Sequence, residues 1–284
     1  MNPHGEPLNS LPCAEPFFLQ AKQGERFCIL HAPAPALPAR GAILYVHPFA
    51  EELNKTRRMA ALQSRAFAAA GYAVLQLDLY GCGDSSGDFS DARWQIWKED
   101  LALASDWLAQ KTGAAVSVWG LRLGALLALE FARDTQGALA SVFFWQPAFN
   151  GKAHLGQFLR MRMASQMLAH ESPGAGSGAT SNQEISRGMT LEIGGYALAP
   201  ELALALNELD GAALAPPSCP LHWLELVQAA TGKLAPATAH MAEAWRSAGA
   251  TVHLHPVRGV PFWATPEIAE CHAMLAATAA ACQP

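Results

Sequence analysis

Residues 118–132, VWGLRLGALLALEFA, combine the pattern of a catalytic turn with a residue that cannot perform the usual catalysis. An apolar strand runs into Gly120, Arg122 and Gly124, and a helical pattern follows at once. Such a turn lifts its middle residue above the strand end, and its flanking positions are crowded enough to need glycine. The usual middle residue is a serine that attacks a carbonyl carbon. Arginine stays protonated at neutral pH and cannot act as that nucleophile.

Two backbone N–H groups are candidates for binding an oxyanion or another ligand group beside this turn. The Leu123 N–H lies at the start of the helix, where the helix dipole favours negative charge. The segment YVHPFAEE follows an early strand and offers the Phe49 N–H, because Pro48 carries none. His47 of this segment is a candidate catalytic residue by position, and we expect it to hold the loop by hydrogen bonds.

Arg122 needs a partner, because a buried guanidinium without one is very costly. Glu51 and Glu52 follow the early strand and are the predicted partners in an internal salt bridge. The alternative is anion binding, since a carboxylate or phosphate fits the guanidinium fork at a helix N-terminus. Both interpretations hold if a ligand displaces the glutamate.

Cys82, in the segment GCGDSS, is the other candidate for covalent chemistry. With His47 as its base, it would be a displaced nucleophile. The alternative, which the sequence favours, is a small residue packed in a tight turn. Asp78 and Asp84 are expected to fix that turn by accepting backbone hydrogen bonds.

The elements around these residues alternate between strand and helix patterns, which predicts a parallel sheet with right-handed crossovers. Residues 1–38 contain a predicted antiparallel hairpin around Gly24 and a proline-rich connector. The alternation breaks over residues 150–216, which include a Gly/Ser-rich segment. We therefore predict a core of residues 1–149 and 217–284 with an inserted cap of residues 150–216.

Composition narrows the functional classes. The 284 residues are 51% hydrophobic, which predicts a large buried core, and the net charge of −5 gives no support for nucleic-acid binding. No apolar run is long enough to predict a membrane span. The N-terminus does not resemble a secretory signal and the six cysteines are scattered, so we expect a cytoplasmic protein with reduced thiols.

No cofactor or metal is expected, because the sequence shows no nucleotide or metal motif. His253 and His255 share one face of the last predicted strand, but no third ligand is placed beside them by the sequence. Protein partners are not identified, and a homodimer stays open.

Four segments carry a resemblance to a known family: LYVHPFAEELNKTRRMA, DLYGCGDSSGDF, WGLRLGALLA and GVPFWATPEI. Together with the strand–helix order, they resemble the α/β-hydrolase superfamily, and in particular the bacterial proteins called exosortase A system-associated hydrolase 2. Those proteins accompany exopolysaccharide and protein-sorting loci. The resemblance implies a three-layer α/β-hydrolase fold with a mainly parallel sheet of about eight strands. It also implies hydrolysis of an ester-type or acylated small molecule.

The triad that the resemblance implies is missing at each expected position. Arg122 replaces the serine, and Val260 stands where the histidine is expected. The loop AATGKLAP has no carboxylate, and neither does the alternative position at Gln146. Two functions therefore stay open. One is a hydrolase of unconventional arrangement that binds an anionic or acylated ligand, and the other is a non-catalytic pseudohydrolase that binds a ligand or acts as a scaffold.

Overall fold

A computed structural model describes residues 13–33, 39–135, 137–168, 181–227 and 232–282. The helices and strands in chain order are β1 (Cys13–Gln20), β2 (Glu25–Ala32), β3 (Gly41–Val46), α1 (Glu51–Ala69), β4 (Tyr72–Leu77), α2 (Trp94–Thr112), β5 (Val116–Leu121), α3 (Leu123–Asp134), β6 (Val142–Trp145), α4 (Gly151–Leu168), α5 (Ser181–Ser186), β7 (Leu191–Ile193), β8 (Tyr196–Leu198), α6 (Pro200–Glu208), β9 (Leu221–Val227), α7 (Pro236–Ser247), β10 (Val252–Arg258) and α8 (His272–Ala281).

Eight of these strands form one sheet in the order β1-β2-β4-β3-β5-β6-β9-β10. β2 is antiparallel to both of its neighbours, whereas every pair from β4 to β10 is parallel. The predicted hairpin around Gly24 is confirmed as β1 and β2 at one edge of the sheet. β5 is buried along its whole length, as expected for a central strand covered on both faces.

Helices cover both faces of the sheet. α1 and α8 pack on one face through Met59, Phe67 and Met274. α2, α3 and α7 cover the other face, where Leu126 and Trp245 are buried. The predicted three-layer architecture with a mainly parallel sheet of eight strands is therefore confirmed. None of the helices in the described ranges combines the length and apolarity that crossing a bilayer requires.

The chain leaves the sheet after β6 and rejoins it at β9. In between lie α4, α5, a two-stranded ribbon of β7 and β8, and α6, and an isolated bridge joins Asn150 to Asp210 at the base of this excursion. The excursion packs on the core where the Phe158 ring meets the Phe49 ring at 5.1 Å. Most of the predicted Gly/Ser-rich segment, residues 171–180, lies outside the described residues.

The sheet order brings the candidate residues together at the carboxyl ends of β3 and β5. β3 and β5 are neighbours in the sheet, although β4 lies between them in the sequence. The chain therefore runs outward from β3 to β4 and returns on the other side of β3. Such a switch point opens a crevice beyond the carboxyl ends of the two strands, which is where ligands bind in open α/β sheets. The segment after β3 and the turn after β5 meet there.

Candidate active site

Arg122 occupies the sharp turn between β5 and α3. Its backbone has φ 56° and ψ −118°, a conformation that residues other than glycine rarely adopt. The flanks are crowded: a Cβ on Gly120 would lie 2.6 Å from the Ala125 Cα, and one on Gly124 would lie 2.3 Å from the His47 carbonyl oxygen. The turn thus has the geometry of a nucleophile elbow with arginine at its apex.

The Arg122 side chain is held on two sides. Its Nε donates to Glu52 Oε1 at 3.2 Å, and its Cζ lies 5.2 Å from the centre of the Trp263 ring, within cation–π range. Its Nη1 also lies 3.5 Å from the Gln146 carbonyl oxygen. Only 14% of the side chain is exposed. The guanidinium therefore fills the space above the elbow that an attacking hydroxyl group would need.

Glu52 and Glu51 have separate partners. Burial raises the pKa of Glu52, and the charge of Arg122 acts in the opposite direction. Glu52 Oε2 is buried without a hydrogen-bond partner among the described residues. Glu51 instead accepts a hydrogen bond from Asn54 Nδ2 at 3.2 Å and lies 3.4 Å from the Tyr196 hydroxyl of the excursion. Of the two glutamates named from the sequence, Glu52 is the one that contacts Arg122.

The segment after β10, where the base is expected, brings a tryptophan to Arg122. The segment VRGVPFW predicts Val260 at that position; Val260 is 45% exposed, and the buried side chain that reaches Arg122 is Trp263. An indole N–H only donates hydrogen bonds, so it accepts no proton from a nucleophile. Neither Val260 nor Trp263 can therefore serve as a general base.

The positions expected for the acid contain no free carboxylate in the described part of the chain. Gln146 follows β6, and its Oε1 accepts a hydrogen bond from the Leu226 N–H at 2.7 Å. Residues 228–231 of the loop after β9 lie outside the described residues. Glu225 in β9 is buried and accepts hydrogen bonds from the Ala235 N–H and the Thr238 hydroxyl. That carboxylate holds the start of α7.

His47 has both ring nitrogens occupied by backbone groups. Its Nε2 accepts from the Leu79 N–H at 3.2 Å, so Nδ1 carries the proton and donates to the Pro48 carbonyl oxygen at 2.7 Å. Burial lowers the pKa of this imidazole, which keeps it neutral. The geometry favours the predicted role of holding the loop and leaves no nitrogen free to take a proton from Cys82.

Cys82 is 7% exposed, and its N–H donates to the Leu79 carbonyl oxygen in a tight turn. Burial raises the pKa of its thiol far above neutral pH, so the nucleophilic thiolate does not form. Of the two predicted acceptors, Asp78 fixes the same turn: its Oδ2 accepts from the Asp84 N–H at 3.1 Å. The structure thus favours the packing interpretation of Cys82.

The two predicted oxyanion donors border a cavity that is too small for a substrate. Phe49 and Leu123 line it together with His47 and Cys82, and its volume is about 10 Å³. That volume holds about one water molecule. The Phe49 ring is 4% exposed and packs edge-on against Trp97. An acyl group does not fit in this cavity.

A larger cleft opens beside the Arg122–Glu52 pair, between the core and α4. Its volume is about 250 Å³, and Phe49 borders both this cleft and the small cavity. Phe158 and Trp263 form its other aromatic walls. Glu51, Glu52 and Lys55 supply its charged groups.

His154 of α4 also lines this cleft, although no sequence pattern singles it out. It is 6% exposed, and its Nδ1 has no hydrogen-bond partner among the described residues. Burial lowers its pKa to about 3, and the positive charge of Arg122 adds to the effect. Trp263 was missed as well, although it lies in the quoted segment GVPFWATPEI. A lone histidine or tryptophan carries no spacing signal, so only the fold brings these two residues to Arg122.

Three histidines cluster near the amino-terminal ends of β9 and β10, away from the cleft. His253 and His255 share one face of β10, and His222 of β9 joins them, with its Nδ1 3.3 Å from His255 Nε2. In the described ranges, no group of three or more histidine, cysteine, aspartate or glutamate side chains is arranged to hold a metal ion.

A family model described as "Serine aminopeptidase, S33" matches residues 38–189, more than half of the chain. The chain belongs to this S33 family. The match includes the elbow with Arg122 and ends before β9 and β10, whose following loops would carry the acid and the base. No curated protein matches the chain.

Solved structures share the α/β-hydrolase fold with this S33 family member. Est1E from Butyrivibrio proteoclasticus, solved with ferulic acid, is 15% identical with a TM-score of 0.66, over 93% of this chain and 95% of that chain. XC6422 from Xanthomonas campestris, described as an a/b serine hydrolase without lid, is 13% identical with a TM-score of 0.57, over 94% and 91%. A thermostable carboxyl esterase from Bacillus coagulans is 14% identical with a TM-score of 0.56, over 86% and 90%. At these identities the likeness shows the fold alone.

Proposed function

We propose that this S33 family member is a non-catalytic protein that binds a small molecule in the cleft beside Arg122. The observation that carries the proposal is the Arg122 side chain itself, paired with Glu52 and covered by Trp263 at the apex of the elbow. A permanently protonated group there neither attacks a carbonyl carbon nor leaves room for a neighbouring hydroxyl to do so.

The surrounding groups support the loss of acyl-transfer chemistry. His47 is pinned by two backbone hydrogen bonds, and Trp263 offers no proton acceptor. The cavity at the predicted oxyanion donors holds about one water molecule. A hydrolase needs a nucleophile, a base and a place for the developing oxyanion. Each of these three requirements is unmet by the residues named above.

The cleft supports the binding role. It is lined on one side by core residues and on the other by α4, with aromatic walls and a few polar groups, as small-molecule sites usually are. We propose that the excursion over residues 150–216 is the cap that closes this cleft. Hydrolysis of an ester-type or acylated molecule by an unconventional arrangement is the competing function, and family membership favours it.

We also propose that the protein serves an exosortase-associated exopolysaccharide system in the cytoplasm. The support is the resemblance of the four segments named above, together with the scattered cysteines. Deletion of the gene in its host tests this proposal: we expect secreted polysaccharide to fall, and an unchanged yield and chain length would contradict the assignment.

One ester tests binding and hydrolysis together. We expect ethyl 3-phenylpropanoate to shift the ¹³C-methyl signal of Met161, which lines the cleft, and to leave the signal of Met189, which is exposed elsewhere. The ester should remain intact, with no ethanol released above the rate in buffer. Ethanol release that disappears in Glu52→Gln or His154→Phe would support the hydrolase instead. An unshifted Met161 signal at millimolar ester would contradict the binding role.

A further inference from the structure

Lys55 is a cation that lines the cleft and has no salt bridge among the described residues. It projects from the first turns of α1, lines the cleft and is partly buried. Within the described part of the chain, its ammonium group has no carboxylate at ion-pair distance. Its charge does act on Glu52, where it helps to lower a pKa that burial raises.

The two acids of the cleft have different partners. Glu52 Oε1 binds the Arg122 guanidinium, and the two charges offset each other. Glu51 is exposed and contacts Asn54 and the Tyr196 hydroxyl at the rim. A ligand that enters the cleft therefore meets the Lys55 cation, a Glu52 carboxylate paired with Arg122, and a Glu51 carboxylate held at the rim by neutral donors.

The remaining lining is mostly apolar. Phe49, Phe158 and Trp263 are each less than one-tenth exposed, and Met161 is 45% exposed at the cleft. His154 is neutral, because burial and Arg122 lower its pKa to about 3. Such walls suit a flat or aliphatic body, and desolvation by them strengthens a charge contact at one end of the ligand.

We infer that the cleft binds a small monocarboxylate with an aromatic or aliphatic body, whose carboxylate pairs with the Lys55 ammonium group. The Gln157 amide, which also lines the cleft, supplies a second donor to the same carboxylate. One ammonium group matches a single negative charge. The inference rests on the proposed binding function and specifies its ligand class and its charge-recognition residue.

Three probes with one body and different end groups test the ligand class: 3-phenylpropanoate, 3-phenylpropan-1-ol and 3-phenylpropylamine. By titration calorimetry at pH 7.5, we expect the carboxylate to bind about tenfold more tightly than the alcohol, and the amine most weakly. Lys55→Met keeps the apolar stem and removes the charge, so it should reduce carboxylate affinity to that of the alcohol. Lys111→Met, at an exposed lysine at the end of α2, is the matched control and should change neither.

The outcomes distinguish a failure of the inferred ligand class from a failure of the proposed binding function. Equal binding of carboxylate and alcohol by the wild-type protein overturns the ligand class and leaves the binding function standing. Tightest binding of the amine also overturns it, because the acidic residues would then dominate the cleft. Carboxylate binding that survives Lys55→Met overturns the role of Lys55. The ¹³C-methyl signal of Met161 is also recorded with each probe. If neither the three probes nor the ester above shifts this signal, the binding function itself fails.

Discussion

Arg122 adopts a backbone conformation that a glycine would adopt without strain, with φ 56° and ψ −118°. Arg122→Gly and Arg122→Ala both remove the guanidinium, and only the glycine variant relieves the strain. We expect Arg122→Gly to be more stable than Arg122→Ala by about 1–2 kcal/mol, measured by urea unfolding. Equal stabilities would show that Arg122 does not hold the elbow conformation in solution.

The Arg122–Glu52 pair is held in a site from which water is mostly excluded, so its two members should be energetically coupled. Arg122→Met leaves a partly buried carboxylate without its cation, and Glu52→Gln removes that penalty. In a double-mutant cycle we expect a coupling free energy of about 1–3 kcal/mol. The exposed pair Arg58–Glu270 is the control and should give less than about 0.5 kcal/mol. Coupling as weak as in the control would show that the Arg122–Glu52 pair does not hold the Arg122 side chain in place.

At the scale of the elements, the elbow depends on the close approach of α3 to the end of β3. A Cβ on Gly124 would lie 2.3 Å from the His47 carbonyl oxygen and 2.6 Å from the Val46 carbonyl oxygen, both of which are backbone atoms that cannot move alone. We expect Gly124→Ala to reduce the free energy of unfolding by about 3 kcal/mol or more.

Gly156 in α4 provides the matched control for this substitution. A Cβ there would meet nothing nearer than Arg160 Nη1 at 3.8 Å. Gly156→Ala should therefore be neutral or stabilise the protein by up to about 1 kcal/mol through helix propensity. A Gly124→Ala protein as stable as the Gly156→Ala protein would show that the elbow is looser than described.

The elbow could be predicted from the sequence because its signal is local: two glycines at fixed spacing stand between an apolar strand and a helix. The β1–β2 hairpin around Gly24 was predictable for the same reason. Trp263 could not be singled out because the chain between β10 and α8 has no periodic pattern, so no sequence rule fixes which of its residues faces Arg122. His154 could not be found, since it reaches the cleft only through the packing of α4 on Phe49.

For the whole molecule, a buried histidine, His154, and a half-buried one, His222, should make stability depend on pH. Burial lowers the pKa of His154 to about 3, and burial together with His253 and His255 lowers that of His222 to about 4, from the ordinary 6.5. The unfolded chain then binds more protons than the folded chain between about pH 6.5 and pH 4. Stability is therefore present above pH 6.5 and is lost as the pH falls through this window.

His154→Phe isolates one part of this dependence, because the ring is kept and the titrating group is removed. Its free energy of unfolding relative to the wild type should rise as the pH is lowered from 6.5 to 4. The expected slope of the difference is at most about 1.4 kcal/mol per pH unit. Parallel stability curves for the two proteins would mean that His154 titrates in the folded protein as it does in water.

Two features of the whole molecule could not be predicted from the sequence: the position of β3 in the sheet and the choice between Glu51 and Glu52. Strand and helix order followed from alternating patterns, whereas the position of β3 between β4 and β5 did not, and that position creates the crevice. Glu51 and Glu52 were equivalent partners in the sequence. In the structure, Glu52 in the first turn of α1 contacts Arg122, whereas Glu51 contacts Tyr196 of the excursion.

Intact-mass spectrometry after treatment with an alkyl fluorophosphonate tests most directly whether Arg122 has closed the nucleophile site. With an active S33 serine hydrolase as the positive control, we predict that this protein keeps its unmodified mass at probe concentrations that label the control fully. A stoichiometric adduct mapped to a serine, threonine or cysteine beside the cleft would contradict the account, because it would reveal an activated nucleophile that Arg122 does not block.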